Sequence, residues 1–170
     1  DARGVQGIGI TYATSNRGGC HVRGYTIAPE VVGLPVQLDR TVTNEKAFWS
    51  KTFQDLTAVI DSMGMCLFTS FAFFPSFLIQ NPNGIITKTV NAAVPHVGWA
   101  VRLINKCPRV AALHLPVFHH TKMIKLATGM YMDFGKYIQI GERGYTMERY
   151  INCKFGISAA NDKLPKRLTD

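Results

Sequence analysis

Apolar residues recur at helical spacing in the segment that follows Asn44. Those on one face, beside charged residues, are Ala47, Phe48, Leu56, Val59, Ile60 and Met63. This period is typical of an amphipathic α-helix. Asn44 can cap the first turn, and Gly64 can end the helix because glycine readily adopts left-handed dihedral angles. The pattern predicts a helix over about residues 44–61.

A second helix is predicted near the end of the chain, starting at Asp133, which is a good N-cap residue. The residues that define it are Phe134, Tyr137, Ile138, Tyr145, Glu148 and Ile151. Between the two helices, residues 67–120 consist of apolar runs that prolines interrupt. Short buried helices joined by loops fit these runs better than strands, although residues 94–104 and 110–118 fit either. Few segments alternate strictly between apolar and polar residues, so the predicted fold class is mainly α.

Residues 1–24 combine many glycines with arginine and small polar residues. Such a composition packs poorly by itself, and glycine allows unusual dihedral angles and close approach to the backbone. The segment therefore fits a loop with tight turns, and it equally fits a backbone that lies close to a ligand.

Composition and charge narrow the class of protein. The chain has 170 residues, of which 46% are hydrophobic and 18% charged, as expected for a globular domain or one lobe of a larger protein. The net charge of +8 favours an anionic partner. The basic residues are scattered, which is more typical of a solvated surface than of a nucleic-acid-binding stripe. We therefore do not expect nucleic acid as a partner.

The ends of the chain and its most apolar run bear on location. Residues 66–79 include Pro75 and are too short to cross a bilayer, which takes roughly 20 apolar residues. The chain opens with Asp1 rather than a basic and then apolar signal segment. We expect a cytoplasmic protein without a membrane partner, and a piece of a longer polypeptide.

The four cysteines, Cys20, Cys66, Cys107 and Cys153, form no C-x-x-C pair. A self-contained zinc or iron–sulfur motif is therefore not predicted, and neither is a disulfide framework. Each cysteine is expected to be either a buried side chain or a single ligand in a site shared with other segments.

Residues 12–21, Tyr12-Ala-Thr-Ser-Asn-Arg-Gly-Gly-Cys-His21, form the first group with candidate chemistry. Their guanidinium, amide and hydroxyl groups can hold an anionic ligand, and the glycines bring the backbone close to it. His21 in such a polar loop is a candidate proton-transfer residue.

Residues 61–66, Asp61-Ser-Met-Gly-Met-Cys66, form the second group. Asp61 at a helix end can accept hydrogen bonds from the N–H groups of a heterocycle, and the Cys66 thiolate can ligate iron. Alternatively, Asp61 caps a turn and Cys66 is a small buried residue. A third group, residues 141–149, has Glu142-Arg143 recurring as Glu148-Arg149, for which a charged helix face with local ion pairs is a sufficient explanation.

The order of these motifs resembles the C-terminal part of the aldehyde:ferredoxin oxidoreductase family. The motifs are Asp1-Ala-Arg-Gly4, Gly7-Ile-Gly9, Tyr12 to His21, Asp61 to Cys66, Gly141-Glu-Arg143, Glu148-Arg149 and Asp162-Lys-Leu-Pro165. They cover roughly residues 1–70 and 125–168. Members of this family hold a tungsten or molybdenum bis-pyranopterin (a tungstopterin or molybdopterin) beside one [4Fe–4S] cluster. The resemblance implies the largely helical fold of the family's C-terminal domains.

The resemblance also implies roles for individual residues. Asp61 and Met65 match the family motif D-x-x-G-L-C that binds one pterin, with Met65 in place of its leucine. Cys66 matches the fourth ligand of the cluster, and His21 matches the catalytic histidine near the metal. Asn16 and Arg17 are expected to line the cofactor pocket.

Parts of the family pattern are not in this chain: an N-terminal β-rich domain, a second D-x-x-G-L motif and a C-x-x-C-x-x-x-C triplet. Residues 1–170 are therefore expected to be a partial C-terminal catalytic region that needs the missing N-terminal portion or another subunit. Residues 75–120 find no match to the family pattern and are expected to be an insertion-like segment. The histidines near its end, His114, His119 and His120, could bind zinc, but they are expected to be ordinary polar or packing residues.

The resemblance implies an enzyme that oxidises aldehydes to carboxylic acids with ferredoxin as electron acceptor. The isolated chain is then expected to be inactive. Two alternatives remain from the residues themselves. One is a non-catalytic, truncated remnant or interaction domain that lacks cofactor, and the weaker one is a basic nucleic-acid-binding domain.

Overall fold

A computed structural model of the chain describes residues 1–33, 37–70, 80–81, 83–93 and 119–169. Its α-helices are α1 (Gln6–Thr14), α2 (Lys46–Ser62), α3 (Leu67–Ser70), α4 (Ile85–Ala93), α5 (His119–Thr128) and α6 (Phe134–Lys154). A π-helical turn spans Ala28–Val32, and 3₁₀ turns span Ala159–Asn161 and Lys166–Leu168. The described residues contain no strand, so the predicted mainly α fold is confirmed.

The ends of α2 and α6 follow from local side-chain and backbone chemistry. At the start of α6, Asp133 accepts a hydrogen bond from the backbone N–H of Lys136 at 2.7 Å, which confirms the predicted N-cap. Helix α2 ends at Ser62, and Gly64, the predicted helix stop, follows two residues later with a φ of +68°. The prediction that Asn44 caps the start of α2 is wrong. The N-cap position is Glu45, whose side chain makes no capping hydrogen bond.

The two long helices, α2 and α6, pack against each other and bury an apolar cluster. The cluster consists of Val59, Met132, Tyr137 and Ile138, with Leu56, Met63, Ile124 and Ile140 around it. Gly141 allows the close approach of the helices, because a Cβ there would lie 1.9 Å from the backbone oxygen of Asp55. The last turns of α2 therefore run beside the middle of α6.

The glycine-rich N-terminal segment is helical over Gln6–Thr14 rather than a loop throughout. The reason is tertiary packing: Gly7 is buried, and a Cβ on it would lie 2.6 Å from the Glu30 carboxylate. The Glu30 carboxylate accepts a hydrogen bond from the Gly7 N–H at 2.8 Å. The loop prediction holds for residues 1–5 and again after Thr14, within the polar motif of residues 12–21.

The prediction for residues 67–120 can be followed only in part. Helix α4 is a short helix as expected, but Ile85 and Ile86 on it are 85% and 65% exposed, so it is not buried there. The rest of that stretch, including residues 94–104, residues 110–118 and His114, lies outside the described residues. In the part of the chain that the structure describes, no helix combines the length and apolar character that crossing a membrane requires.

Candidate functional site

A loop between α1 and the π-helical turn faces the C-terminal end of α2. The loop, residues 15–25, carries Asn16, Arg17 and His21, and the end of α2 carries Asp61. The loop folds back at Gly24, whose φ is +116°. A Cβ at Gly24 would lie 2.8 Å from Thr11 Cγ2, so both the dihedral angle and the packing require glycine there.

Asp61 forms ion pairs with two arginines of this loop. Its Oδ2 lies 3.4 Å from Arg17 Nη1 and 3.1 Å from Arg23 Nη1. The side chain of Arg17 is exposed, whereas that of Arg23 is only 3% exposed. The structure thus joins two residues singled out from the sequence, Arg17 and Asp61, through direct contact.

Arg23 is also bound by a carboxylate of α6. Its Nη2 donates a 2.6 Å hydrogen bond to Glu148 Oε1. Glu148 Oε2 in turn lies 3.4 Å from the side-chain nitrogen of Asn16. One polar cluster therefore spans α2, the loop and α6, and it consists of Asp61, Arg23, Glu148 and Asn16.

Helix α6 also holds the start of the loop through two residues, Tyr145 and Asn152. Tyr145 donates from its hydroxyl to the backbone oxygen of Thr14 at 2.7 Å, and its own backbone oxygen accepts from Asn16 Nδ2 at 2.9 Å. Asn152 donates to the backbone oxygen of Asn16 at 2.8 Å. Burial raises the pKa of Tyr145 to about 12, so its hydroxyl stays a donor at neutral pH.

Three buried polar atoms of this cluster have no hydrogen-bond partner among the described residues: Asn16 Oδ1, Arg23 Nε and Arg23 Nη1. The last of these contacts Asp61 only as an ion pair. Unpaired buried donors and acceptors are uncommon in proteins and commonly mark a bound ligand or water. Two guanidinium N–H donors, an amide acceptor and a carboxylate fit a ligand that has both anionic groups and N–H groups.

The turn after α2 carries two further candidate site residues, Met65 and Cys66. The Gly64 N–H donates to the Asp61 carbonyl at 2.9 Å, and the Met65 N–H donates to the Ile60 carbonyl at 3.2 Å. This pair of hydrogen bonds is the Schellman motif, which requires a left-handed residue at Gly64. It places Met65 and Cys66 directly beyond the last turn of α2, with Met65 partly buried and Cys66 exposed.

His21 lies exposed in the loop that carries Arg17. His21 and the side chain of Met65 take no part in the described network around Asp61. Elsewhere, His119 is exposed on α5, and His120 is buried against Tyr137 with its Nδ1 3.0 Å from the tyrosine hydroxyl. Across the described ranges, no group of three or more His, Cys, Asp or Glu side chains is arranged to hold a metal ion.

A cleft of about 550 Å³ opens beside the cluster, between the loop and the C-terminal turns. Tyr12, Asn16 and Gly18 line one side of it, and Arg149 and Asp162 line the other. Arg149 donates two hydrogen bonds to the Asp162 carboxylate, at 2.8 and 2.5 Å, which ties the C-terminal segment to α6. The cleft is thus closed on one side by a bidentate ion pair.

Sequence reasoning missed Arg23, Tyr145, Glu148 and Asn152 as parts of this cluster. One signal was present: residues 145, 148 and 152 share a helix face because they lie three and four positions apart. From the sequence, local ion pairs are a sufficient explanation for Glu148. Its partners instead lie 125 and 132 positions earlier in the sequence.

The family model and the relatives that match this chain all carry the name aldehyde ferredoxin oxidoreductase. A family model described as aldehyde ferredoxin oxidoreductase, domains 2 and 3, matches residues 1–170. The tungsten-containing aldehyde ferredoxin oxidoreductases of Pyrococcus horikoshii, Thermococcus kodakarensis and Pyrococcus furiosus are each 33% identical over 172 residues. Each alignment covers 100% of this chain but only 21%, 22% and 22% of the respective relative. The chain spans about a fifth of the length of these relatives.

Proposed function

This chain belongs to the aldehyde ferredoxin oxidoreductase family, and we propose that it forms part of a tungsten or molybdenum pterin enzyme that oxidises aldehydes. The reaction converts R–CHO and water into R–COOH, and releases two electrons and two protons. Ferredoxin is the proposed electron acceptor. The observation that carries the proposal is the position of Asp61, which the two arginines of the loop hold next to unpaired buried polar atoms.

Asp61 is proposed to bind the pterin by accepting hydrogen bonds from its N–H groups. A carboxylate suits this role because its two oxygens accept several hydrogen bonds. Met65 follows Asp61 across the turn and is proposed to contact the same pterin. Asn16 and Arg17 are proposed to complete this side of the pocket, with the guanidinium of Arg17 facing anionic groups of the cofactor.

His21 is proposed as the proton-transfer residue of the reaction. When bound, the metal–pterin group supplies the two-electron oxidation of the aldehyde. His21 then holds or moves one of the protons that the reaction releases, a role that an imidazole can fill near neutral pH. Its exposed position in the loop leaves the ring accessible to a substrate.

Cys66 is proposed as a thiolate ligand of a [4Fe–4S] cluster. Such a cluster needs four ligands, and the described residues provide no second cysteine at the end of α2. The other ligands, and a second pterin motif, are proposed to come from a portion of the enzyme outside this chain or from another subunit. This chain alone is therefore expected to be inactive, and the assembled enzyme is expected in the cytoplasm.

A second candidate function is that of a non-catalytic remnant or interaction domain. The observation that favours it is that Asp61 already has two counter-ions in the protein itself. A chain of this kind can fold around the Arg17–Asp61–Arg23 contacts without any cofactor.

Metal analysis of the purified protein separates the two candidates. The protein is isolated with whatever copurifies, its intact mass is recorded, and tungsten, molybdenum and iron are measured. About one tungsten or molybdenum and about four iron atoms per chain support the oxidoreductase. If the polypeptide with the other proposed ligands is present and the metals are still absent, even after production with tungstate and iron in the medium, the remnant is supported.

Matched variants assign the metals to residues. Cys66→Ser is expected to lower iron, whereas Cys153→Ser, which also changes an exposed cysteine, leaves iron unchanged. Asp61→Asn is expected to lower tungsten or molybdenum, whereas Asp1→Asn, which also removes an arginine-paired carboxylate, does not. Equal metal content in Asp61→Asn and Asp1→Asn would contradict the pterin role of Asp61.

A further inference from the structure

We infer that Glu148 is a positioning residue of the candidate pterin pocket, acting through the guanidinium group of Arg23 on Asp61. The inference rests on the proposed function, since it concerns how the pterin-binding carboxylate is held. Glu148 belongs to α6, outside the loop and outside the turn that carry the proposed cofactor ligands.

The first step is the burial of Arg23. The Arg23 side chain is only 3% exposed, and burying a guanidinium group is costly unless carboxylates neutralise it and accept its hydrogen bonds. The hydrogen bond that Arg23 makes to Glu148 is 2.6 Å long. Its contact with Asp61 is longer, at 3.1 Å, and is not an aligned hydrogen bond. Glu148 therefore fixes where the guanidinium lies, and the guanidinium then lies beside Asp61.

The second step is the use of both oxygens of Glu148. While Oε1 binds Arg23, Oε2 lies 3.4 Å from the side-chain amide of Asn16. One carboxylate of α6 thus contacts both a cation and an amide of the loop. Both contacts hold polar groups that have unpaired buried atoms, and these atoms are available to a bound cofactor.

The third step is the balance of charge around Asp61. Two cations, Arg17 and Arg23, face two carboxylates, Asp61 and Glu148. Without the charge of Glu148, Asp61 is the one carboxylate of this cluster left to neutralise both guanidinium groups. Its carboxylate is then drawn towards them and is less available to accept hydrogen bonds from a heterocycle.

The test compares Glu148→Gln with Glu142→Gln. Glu142 is a matched control, because it lies on the same helix, pairs with one cation (Lys51, 3.0 Å) and is 42% exposed, against 41% for Glu148. Both variants are made in the complete polypeptide that carries this chain. Hydrogen–deuterium exchange of residues 15–25 is measured on cofactor-free protein, and pterin and metal per chain are measured on protein produced with tungstate.

Glu148→Gln is expected to speed exchange in residues 15–25 while α2 keeps its protection, and to lower pterin and metal content about tenfold. Glu142→Gln is expected to change neither quantity. A role in stability alone predicts faster exchange in α2 and α6 as well. Full cofactor content in Glu148→Gln would overturn the inference and leave the proposed function intact.

Two further outcomes need other measurements: an unmodified protein that binds no cofactor, and a Glu148→Gln variant that does not fold. If the unmodified protein binds neither pterin nor metal, the proposed function fails, and the exchange of residues 15–25 alone then supports or overturns the positioning role. If Glu148→Gln does not fold, Glu148→Asp replaces it, because it keeps the charge on a side chain shorter by one methylene. Cofactor content in Glu148→Asp is expected to fall below that of Glu142→Gln, and equal content overturns the inference.

Discussion

Lys46 and Glu30 form an ion pair in the interior, with Lys46 Nζ 2.5 Å from Glu30 Oε1 and side chains that are 2% and 0% exposed. The same carboxylate oxygen accepts the N–H of Gly7, and Lys46 also donates to the backbone oxygen of Asp39. These contacts tie the start of α2 to α1 and to the π-helical turn. The loop with Asn16 and Arg17 leaves the end of α1, so its anchor is this buried pair.

Lys46→Met is therefore expected to lower the free energy of unfolding by about 3–5 kcal/mol, because it leaves the Glu30 carboxylate buried without its counter-ion. The control is Arg3→Gln, which breaks the exposed pair with Asp1 and is expected to change the free energy by less than about 1 kcal/mol. Urea denaturation measures both values. Equal losses of unfolding free energy in the two variants would show that burial does not increase the contribution of the Lys46–Glu30 ion pair.

Gly141→Ala is expected to destabilise the protein by about 1–3 kcal/mol, because the new Cβ meets the backbone oxygen of Asp55 and forces α2 and α6 apart. Gly144→Ala on the same helix is the control. Its Cβ would find only Ser62 Oγ, at 3.8 Å, and alanine favours the helix by up to about 1 kcal/mol. Thermal unfolding should therefore shift in opposite directions for the two variants.

Tyr145→Phe removes the hydrogen bond to the Thr14 backbone oxygen at the start of the loop. The expected loss is about 1–3 kcal/mol, since a partly buried carbonyl is left without its donor. Tyr150→Phe, which changes an exposed tyrosine of the same helix, serves as the control. Denaturant unfolding measures the loss of stability, and hydrogen–deuterium exchange of residues 15–25 measures the loosening of the loop. An unchanged exchange rate of the loop in Tyr145→Phe would contradict the anchoring role.

Protonation of His120 is expected to make stability depend on pH. Burial, and then the neighbouring His119, lower the pKa of His120 below its ordinary value of 6.5, so the unfolded chain binds a proton more readily than the folded one. The contribution of His120 to stability is present above pH 6.5 and is lost as the pH falls towards the folded pKa. The loss has a slope of at most about 1.4 kcal/mol per pH unit, since one proton is involved.

His120→Gln is expected to flatten this part of the pH profile. The free energy of unfolding is measured by urea denaturation between pH 5 and pH 8 for both proteins. Parallel profiles would mean that other groups cause the pH dependence.

Helix ends were the features that the sequence could predict best, because their chemistry is local. Asp133 caps α6 through its own side chain, and Gly64 ends α2 through its own backbone angle. Local preference failed in α1, where glycine disfavours a helix. The buried Glu30 carboxylate, 23 positions from Gly7, overrides that preference.

The candidate site was predictable only as far as its motifs reach. The contact between Arg17 and Asp61 brings together two of these motifs that are distant in sequence. The Arg23–Glu148 contact could not be predicted, because it depends on how closely α2 and α6 pack, and Gly141 sets that distance through tertiary structure. The insertion-like character of residues 75–120 stays a prediction, and so do the roles proposed for Asn16, Arg17, His21, Asp61, Met65 and Cys66.

The hydrogen-bonded turn at Gly64 has a mechanical consequence for the proposed enzyme. Since the N–H groups of Gly64 and Met65 are tied to the last turn of α2, the peptide between Asp61 and Cys66 cannot swing independently of that helix. A displacement of α2 therefore carries this turn with it, including the backbone of the proposed pterin ligand and of the residue before the proposed cluster ligand. The two hydrogen bonds thus oppose a change in the backbone spacing between Asp61 and Met65.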